Sequence, residues 1–217
     1  MNILIVSGSQ RKQSNSFALA KHIQKNVLEH WSENEETSCT ILELAEYSTL
    51  LEHYSDIDDN TKSSDTKLAS IKEEVLSKLY ACDAVAFIAP EWGGMVPPAL
   101  INLLLLCANG SANGLPLGHK PAFAIGLSSA GGGANPIPLL KGFSAKNTHM
   151  AWLPLHAIVQ NIDAFIAAPW TPENKDRLSQ VQSRIDVGFK SLAIYANQLK
   201  PVRETLVKLS TRHPFGQ

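Results

Sequence analysis

The stretch ILIVSGSQRKQSNSFALA, residues 3–20, carries the clearest sign of how the chain folds. Four apolar residues come first, then the polar segment GSQRKQSNS at residues 8–16, and then apolar residues at helical spacing. An apolar run that passes through a short polar loop into an amphipathic segment is typical of a βα unit. The stretch therefore predicts a buried strand at residues 3–6 and a helix at about Asn15–Trp31.

The rest of the chain alternates in the same way. Four further apolar runs predict strands at residues 39–44, 84–90, 122–128 and 155–159. Helical spacing appears at residues 68–79, after the pair Pro97 and Pro98, and from Pro172 to about Ile194. Such alternation predicts an α/β fold in which a five-stranded parallel sheet lies between two helical layers. Residues 55–66, SDIDDNTKSSDT, are polar and acidic and predict a loop.

Composition and charge narrow the class of protein. The chain has 217 residues, 44% of them apolar, and a formal net charge of -1, which predicts one globular domain and no basic surface for nucleic acid. Its three cysteines form no CxxC pair, so we expect neither a disulfide framework nor a zinc cluster. No segment approaches about 20 consecutive apolar residues. We expect a cytoplasmic protein without membrane insertion, whose residues from about 200 onward could extend the domain.

The polar loop at residues 8–16 has the composition of an anion-binding site. A loop that leads from a buried strand into a helix presents backbone N–H groups at the positive end of the helix dipole. Serine hydroxyls would add donors, and Arg11 or Lys12 would neutralise the charge of a phosphate. The alternative is that Ser14 or Asn15 only caps the helix.

The same loop lacks the motifs of common nucleotide-binding and phosphatase sites. It contains neither the GxGxxG of dinucleotide-binding proteins nor the Gly-Lys-Ser/Thr ending of a P-loop. No cysteine precedes Cys39, which excludes a cysteine phosphatase loop. A donor-rich loop without a nucleophile would hold a phosphate without attacking it. We therefore expect the phosphate to be the part by which a larger ligand is held.

Two later loops at predicted strand ends are rich in glycine. PEWGGM, residues 90–95, places Trp92 beside Gly93 and Gly94, where a flat ligand could approach the backbone closely. SSAGGGAN, residues 128–135, also exposes backbone amides that could face the carbonyl oxygens of a ligand. Ligands of open α/β sheets bind beyond the carboxyl ends of the strands, so we expect the three loops to share one site.

Together the three loops resemble one known family. The motifs GSQRKQSN at residues 8–15, PEWGGMVPPALIN at residues 90–102 and KPAFAIGLSSAGGG at residues 120–133 are similar to those of NADPH-dependent FMN reductases. The resemblance covers residues 2 to about 200 and implies a flavodoxin-like three-layer fold with FMN, whose phosphate lies on the first loop. It implies these cofactor-binding residues: Ser9, Gln10, Arg11, Ser14, Asn15, Ser16, Pro90, Glu91, Trp92, Gly93, Gly94, Met95, Ser129, Gly131, Gly132 and Gly133.

The chain departs from the family pattern near the second loop. Gly93 stands where the family usually has Asn, Met95 where it often has Ser, and Ile101 where it usually has Lys. An aspartate expected a little later falls on the apolar residues 103–106. Residues 100–106 are hydrophobic nearly all round, so their helix must be buried in the core or against a partner subunit. The resemblance to dimers and tetramers leads us to expect a homodimer or homotetramer.

The implied activity is that of a reductase. It would pass electrons from NADPH or NADH through FMN to a quinone, azo compound, metal oxyanion, free flavin or similar small acceptor. Because the flavin supplies the chemistry, we predict no catalytic acid or base, and we expect a structural role for Glu91. His149 and His156 lack a usual ligand spacing, so no metal site is predicted. A non-enzymatic flavodoxin-like carrier and a flavin-binding regulatory module stay open as alternatives.

Overall fold

A computed structural model describes residues 1–31, 37–48, 66–108 and 114–214 of the chain. Its strands are β1 (Asn2–Ser7), β2 (Ser38–Glu43), β3 (Ala84–Pro90), β4 (Pro121–Leu127) and β5 (Ala151–Val159). Its helices are α1 (Asn15–Trp31), α2 (Thr66–Ala81), α3 (Pro98–Leu106), α4 (Pro136–Thr148), α5 (Ile162–Ala167), α6 (Arg177–Leu199) and α7 (Arg203–Ser210). A short 3-10 turn (Leu44–Glu46) follows β2.

The five strands form one parallel sheet in the order β2-β1-β3-β4-β5. The central strands β3 and β4 are buried along their length except at Pro90, as expected of strands covered on both faces. The order of the strands reverses between β1 and β3, which creates a topological switch point. The predicted five-stranded, flavodoxin-like sheet is therefore confirmed.

Two apolar cores lie on opposite faces of this sheet. Alternate residues of a strand point to opposite faces, so Ile3 and Ile5 pack with α1, α5 and α6. Their neighbours Leu4 and Val6 pack on the other face with α2, α3 and α4. Helix α3 begins at Pro98, where a missing N–H costs nothing, as predicted.

Several element boundaries differ from the sequence prediction. Strand β5 begins at Ala151 rather than at residue 155, and α6 begins at Arg177 rather than at Pro172. The sequence pattern does not predict α5 and α7. The predicted loop at residues 55–66 lies outside the described residues except for Thr66, which begins α2.

The last helix closes the end of the sheet opposite the three loops. The Arg203 Nη2 donates to the carbonyl oxygen of Asp83, just before β3, over 3.0 Å. The His119 Nε2, just before β4, lies 2.7 Å from Ser210 Oγ. These contacts leave the carboxyl ends of the strands open for a site. Within the described residues, no helix has the length and apolar character that crossing a membrane requires.

Candidate functional site

The three predicted loops meet in a cleft of about 250 Å³ beyond the carboxyl ends of β1, β3 and β4. The predicted site residues that line it are Ser9, Arg11, Ser14, Asn15, Ser16, Pro90, Glu91, Trp92 and Ser129. Lys12, predicted as the alternative to Arg11 for the phosphate charge, lines it as well. Gln13, Leu127 and Ser128, which the resemblance does not imply, complete the lining. The cleft lies at the switch point between β1 and β3, the usual ligand position in such sheets.

The first loop prepares the start of α1 to bind an anion. The Phe17 N–H donates to Ser14 Oγ over 3.2 Å, so Ser14 caps the helix. The Ser16 hydroxyl is buried and lies 3.0 Å from the hydroxyls of both Ser7 and Ser14. Capping thus accounts for Ser14 alone. Backbone N–H groups in the first turn have no acceptor within the helix, so the turn can offer them to an anion.

Arg11 of the first loop contacts Trp92 of the second. The guanidinium carbon of Arg11 lies 4.5 Å from the centroid of the Trp92 ring, within the range of a cation–π contact. The backbone N–H of Arg11 also donates to the buried Ser9 Oγ over 3.1 Å. The contact holds a positive charge at the cleft, beside an aromatic ring.

The second loop is a tight turn that explains its glycine pair. Trp92 and Met95 exchange backbone hydrogen bonds of 3.1 and 3.0 Å. Between them, Gly93 and Gly94 have φ angles of 58° and 81°, a region that side chains other than glycine's rarely adopt. In the described part of the chain, these glycines lie outside the lining of the cleft.

Two other predicted residues also lie outside that lining. Met95 lines a groove between α3 and α4. The Gln10 Oε1 accepts a hydrogen bond from the backbone N–H of Ala99 over 3.4 Å, at the start of α3. The structure therefore brings these two side chains to α3 rather than to the cleft.

The third loop, residues 128–135, is called the glycine loop below and is held by Glu91. The Glu91 Oε2 accepts from the Gly133 N–H over 2.5 Å, and its Oε1 accepts from Asn135 Nδ2 over 3.4 Å. A Cβ on Gly132 would lie 3.3 Å from the same carboxylate. A Cβ on Gly126 of β4 would lie only 1.9 Å from the Gly133 carbonyl oxygen, so this strand position requires glycine. Gly132 and Gly133 thus lie against Glu91, which lines the cleft, whereas the three predicted glycines 131–133 are themselves outside that lining.

The side chain of Gln160, which sequence analysis misses, holds the glycine loop from the other side. Its Nε2 donates to the carbonyl oxygens of Gly131 and Gly132. Gln160 directly follows β5, so it lies at the same edge of the sheet as the three loops. A glutamine directly after a predicted strand is a signal that could have identified it.

The cysteines take no part in this site. All three are buried. Burial raises the pKa of the Cys39 thiol to about 12 and also raises the pKa values of Cys82 and Cys107. The thiols therefore stay protonated and are poor nucleophiles. The cleft itself offers donors, hydroxyls and an aromatic wall, which are suited to binding and orientation.

A family model matches most of the chain. Residues 1–162 match the model of NADPH-dependent FMN reductases. The matched segment contains all five strands and ends at the first residue of α5. A search of curated protein sequences found no significant match.

Solved structures share the fold at low sequence identity. An oxidoreductase from Corynebacterium diphtheriae is 14% identical with a TM-score of 0.60, covering 91% of this chain and 97% of that one. FerB, a flavoenzyme NAD(P)H:(acceptor) oxidoreductase from Paracoccus denitrificans, is 17% identical with a TM-score of 0.57 and the same coverage of 91% and 97%. The NADH:FMN oxidoreductase EMOB is 16% identical with a TM-score of 0.58, covering 88% of this chain and 89% of that one. At these identities the likeness establishes the fold.

Proposed function

Since the chain belongs to the NADPH-dependent FMN reductase family, we propose that it passes electrons from NADPH or NADH through FMN to a small acceptor. The proposed acceptor is a quinone, an azo compound, a metal oxyanion, a free flavin or a similar small molecule. The observation that carries the proposal is the cleft in which all three predicted loops meet at the switch point. The activities by which FerB and EMOB are named, NAD(P)H:(acceptor) and NADH:FMN oxidoreductase, support the same reaction class.

The residues of the cleft fit the parts of FMN. The first turn of α1, with Ser9 and Ser14 beside it, supplies donors for a phosphate, and Arg11 supplies the opposite charge. Pro90 and Trp92 give the cleft a flat apolar wall, which suits an aromatic ring system. A phosphate site and a flat wall in one cleft match a ligand with an anionic end and a planar end.

The chain's own residues would bind and orient rather than react. Bound FMN supplies the hydride and electron chemistry. Glu91 fixes the glycine loop through the Gly133 N–H, which keeps that loop in one position beside the cleft. Arg11 and Trp92 join the first and second loops at the cleft. This arrangement requires no side chain to act as a general acid or base.

The same family membership supports assembly into a homodimer or homotetramer. A groove of about 270 Å³ lies between α3 and α4, and apolar side chains such as Leu104 and Leu139 line it. At its rim Phe143 is 77% exposed and Met95 is 56% exposed, which is unusual for large apolar side chains. Because the exposed ring and the groove lie on one face, a second copy related by a two-fold axis could fill both.

We place the protein in the cytoplasm. All three cysteines are free and buried, which suits a reducing compartment. The proposed nicotinamide co-substrates and a small-molecule acceptor would be available there.

Anaerobic reduction by the nucleotide tests the proposal. The purified protein reconstituted with FMN should lose its flavin colour when NADPH or NADH is added, and a quinone should restore it. An electron carrier would stay oxidised with the nucleotide alone and would become reduced only after a separate reductase is added. If neither nucleotide bleaches the flavin at about millimolar concentration, near the top of the usual KM range, the reductase assignment is wrong.

A further inference from the structure

We infer that Gln160, held by Arg177, is a positioning residue that sets the conformation of the glycine loop beside the flavin ring. The inference rests on the proposed function as far as the flavin is concerned. It concerns a pair of residues of which one, Arg177, lies beyond the segment that matches the family model. The two side chains come from different elements, since Gln160 follows β5 and Arg177 is the first residue of α6.

The contact with Arg177 fixes the orientation of the Gln160 amide. Arg177 Nη2 donates to Gln160 Oε1 over 2.9 Å. A guanidinium can only donate, so the amide oxygen must face Arg177 and the amide nitrogen must face away from it. That nitrogen donates to the carbonyl oxygens of Gly131 and Gly132, the second over 3.1 Å. Arg177 therefore ensures that Gln160 presents donors, not an acceptor, to the glycine loop.

Glu91 and Gln160 form hydrogen bonds with the two polar groups of one peptide unit, the one between Gly132 and Gly133. The carbonyl of Gly132 accepts from Gln160, while the N–H of Gly133 in the same unit donates to Glu91. A trans peptide points these groups in opposite directions, so the two side chains must lie on opposite sides of the loop. The sheet order agrees, because Glu91 follows β3, Gln160 follows β5, and β4 lies between them.

The preceding peptide unit is oriented by the same contact. The carbonyl of Gly131 also faces Gln160, so the N–H of Gly132 points toward the side where Glu91 lines the cleft. Three successive glycines have no side chains to limit their backbone, and many conformations compete with this one. Gln160 selects the conformation that turns the Gly132 N–H toward the proposed flavin ring.

Gln160→Glu is the variant that isolates this role. The carboxylate keeps the size of the side chain and the bond to Arg177, but it removes the donor and repels the two carbonyl oxygens. Gln180→Glu is the matched control, because Gln180 Nε2 also donates to a backbone carbonyl, that of Lys175, over 3.0 Å at the start of α6. Both variants change the net charge equally.

Two measurements on the full chain test the inference. Hydrogen–deuterium exchange without FMN should be about tenfold faster across residues 128–135 in Gln160→Glu, as loss of two hydrogen bonds predicts, and unchanged in β4. In a fluorescence titration, FMN and riboflavin should both bind about tenfold more weakly, because the ring contacts change and the phosphate contacts do not. Gln180→Glu should match the wild type in both measurements.

The outcomes separate this inference from the proposed function. Unchanged exchange in Gln160→Glu overturns the inference, whether or not the protein binds FMN. Faster exchange spread over the whole sheet also overturns it, because Gln160 would then be a general stabilising residue. If the wild type binds no FMN, the proposed function fails. Faster exchange confined to residues 128–135 in Gln160→Glu would still establish that Gln160 positions the glycine loop.

Discussion

Arg11 places a positive charge at the candidate site, next to Trp92. It is exposed, and its guanidinium lies over Trp92 at 4.5 Å. A cation–π contact at an exposed position contributes about 0.5–1 kcal/mol, less than a charge-assisted bond to a phosphate. The Arg11 guanidinium can therefore leave the Trp92 ring to bind a phosphate, because the new bond is stronger than the cation–π contact that is lost.

Arg11→Ala should weaken FMN binding by about 1.5–3 kcal/mol, which is roughly 10- to 150-fold in Kd. Riboflavin has no phosphate, so its affinity should change little in the same variant. Fluorescence titration of both flavins measures the difference, and Arg11→Lys, which keeps the charge but loses the fork of donors, should fall between the two. Equal FMN affinity in wild type and Arg11→Ala would remove Arg11 from the site.

Sequence composition predicts the loops of the site better than the directions of their side chains. Arg11, Ser14 and Trp92 line the cleft, whereas Gln10 and Met95 from the same loops are directed to α3. Neighbouring residues of a loop can face different elements, and which element is near depends on the whole fold. Gln13, which is not predicted, lines the cleft for the same reason.

Helix and strand boundaries show which local signals the sequence carries. Helix α6 begins at Arg177 because the Asp176 carboxylate accepts from the N–H groups of Leu178 and Ser179, over 3.0 and 2.9 Å. This capping aspartate is visible in the sequence, but Pro172 is the more conspicuous start signal. The six-residue α5 and the eight-residue α7 are shorter than the window of about 11 residues over which helical spacing can be recognised in a sequence.

The sequence does not predict the first four residues of β5, 151–154, because the strand contains a β-bulge. Ala122 of β4 pairs with Trp152 and Ala124 pairs with His156, so residues 153–155 all stand opposite one residue. A bulge interrupts the alternation of apolar and polar residues on which strand prediction depends. It also leaves backbone carbonyls without partners in the sheet.

Lys141 of α4 satisfies those carbonyls, so Lys141→Met should destabilise the fold. Its Nζ donates to the carbonyl oxygens of Leu153, Pro154 and Leu155 over 2.6, 3.1 and 3.4 Å. Losing these bonds should lower the free energy of unfolding by about 1–3 kcal/mol. Urea denaturation measures it, with Lys146→Met at an exposed position of the same helix as control. Equal midpoints for the two variants would show that water replaces the ammonium group without cost.

For the molecule as a whole, two independent signals in the sequence predict the same sheet. Strands and helices alternate along the chain, and the family resemblance implies the same layered fold. The structure confirms five parallel strands. One sheet spans the matched segment, and α6 packs on it, which supports our proposal of a single domain. Which helices contact a second subunit depends on how two folded surfaces fit together. The sequence pattern of one chain does not show this fit, so it leaves the oligomeric state open.

Acid should destabilise the protein through its half-buried histidines. Burial is the main cause that lowers the pKa values of His22, His119 and His156 below the ordinary 6.5, with nearby Lys25, His149 and Lys141 adding to the effect. Because the unfolded chain then binds protons more readily, the free energy of unfolding falls as the pH drops below about 6.5 and toward the folded-state pKa values.

His22→Phe should reduce this dependence on pH. The ring of His22 packs edge-on against Phe165 and Trp170 at centroid distances of 5.8 and 5.6 Å, contacts that phenylalanine can keep. Thermal denaturation at about pH 7.5 and about pH 5.5, on either side of the ordinary histidine pKa, measures the change. A wild-type midpoint that does not fall over this interval, or an equal fall in His22→Phe, would contradict the prediction.

The exposed ring of Phe143 gives the last prediction, which concerns assembly. Helices α3 and α4 present the groove and this ring on one face, and Ile101 at 41% exposure stands where the family usually has a lysine. An apolar residue in place of a charge favours burial against another apolar surface. If the proposed homodimer or homotetramer forms through this face, Phe143→Glu should convert it to a monomer, since a carboxylate in the paired groove would be buried without a partner. Light scattering after gel filtration measures the mass, and Ile194→Glu, at a 63% exposed position on α6 on the opposite face, should leave it unchanged. A monomeric wild type, or an oligomer that survives Phe143→Glu and dissociates in Ile194→Glu, would place any assembly elsewhere than on this face.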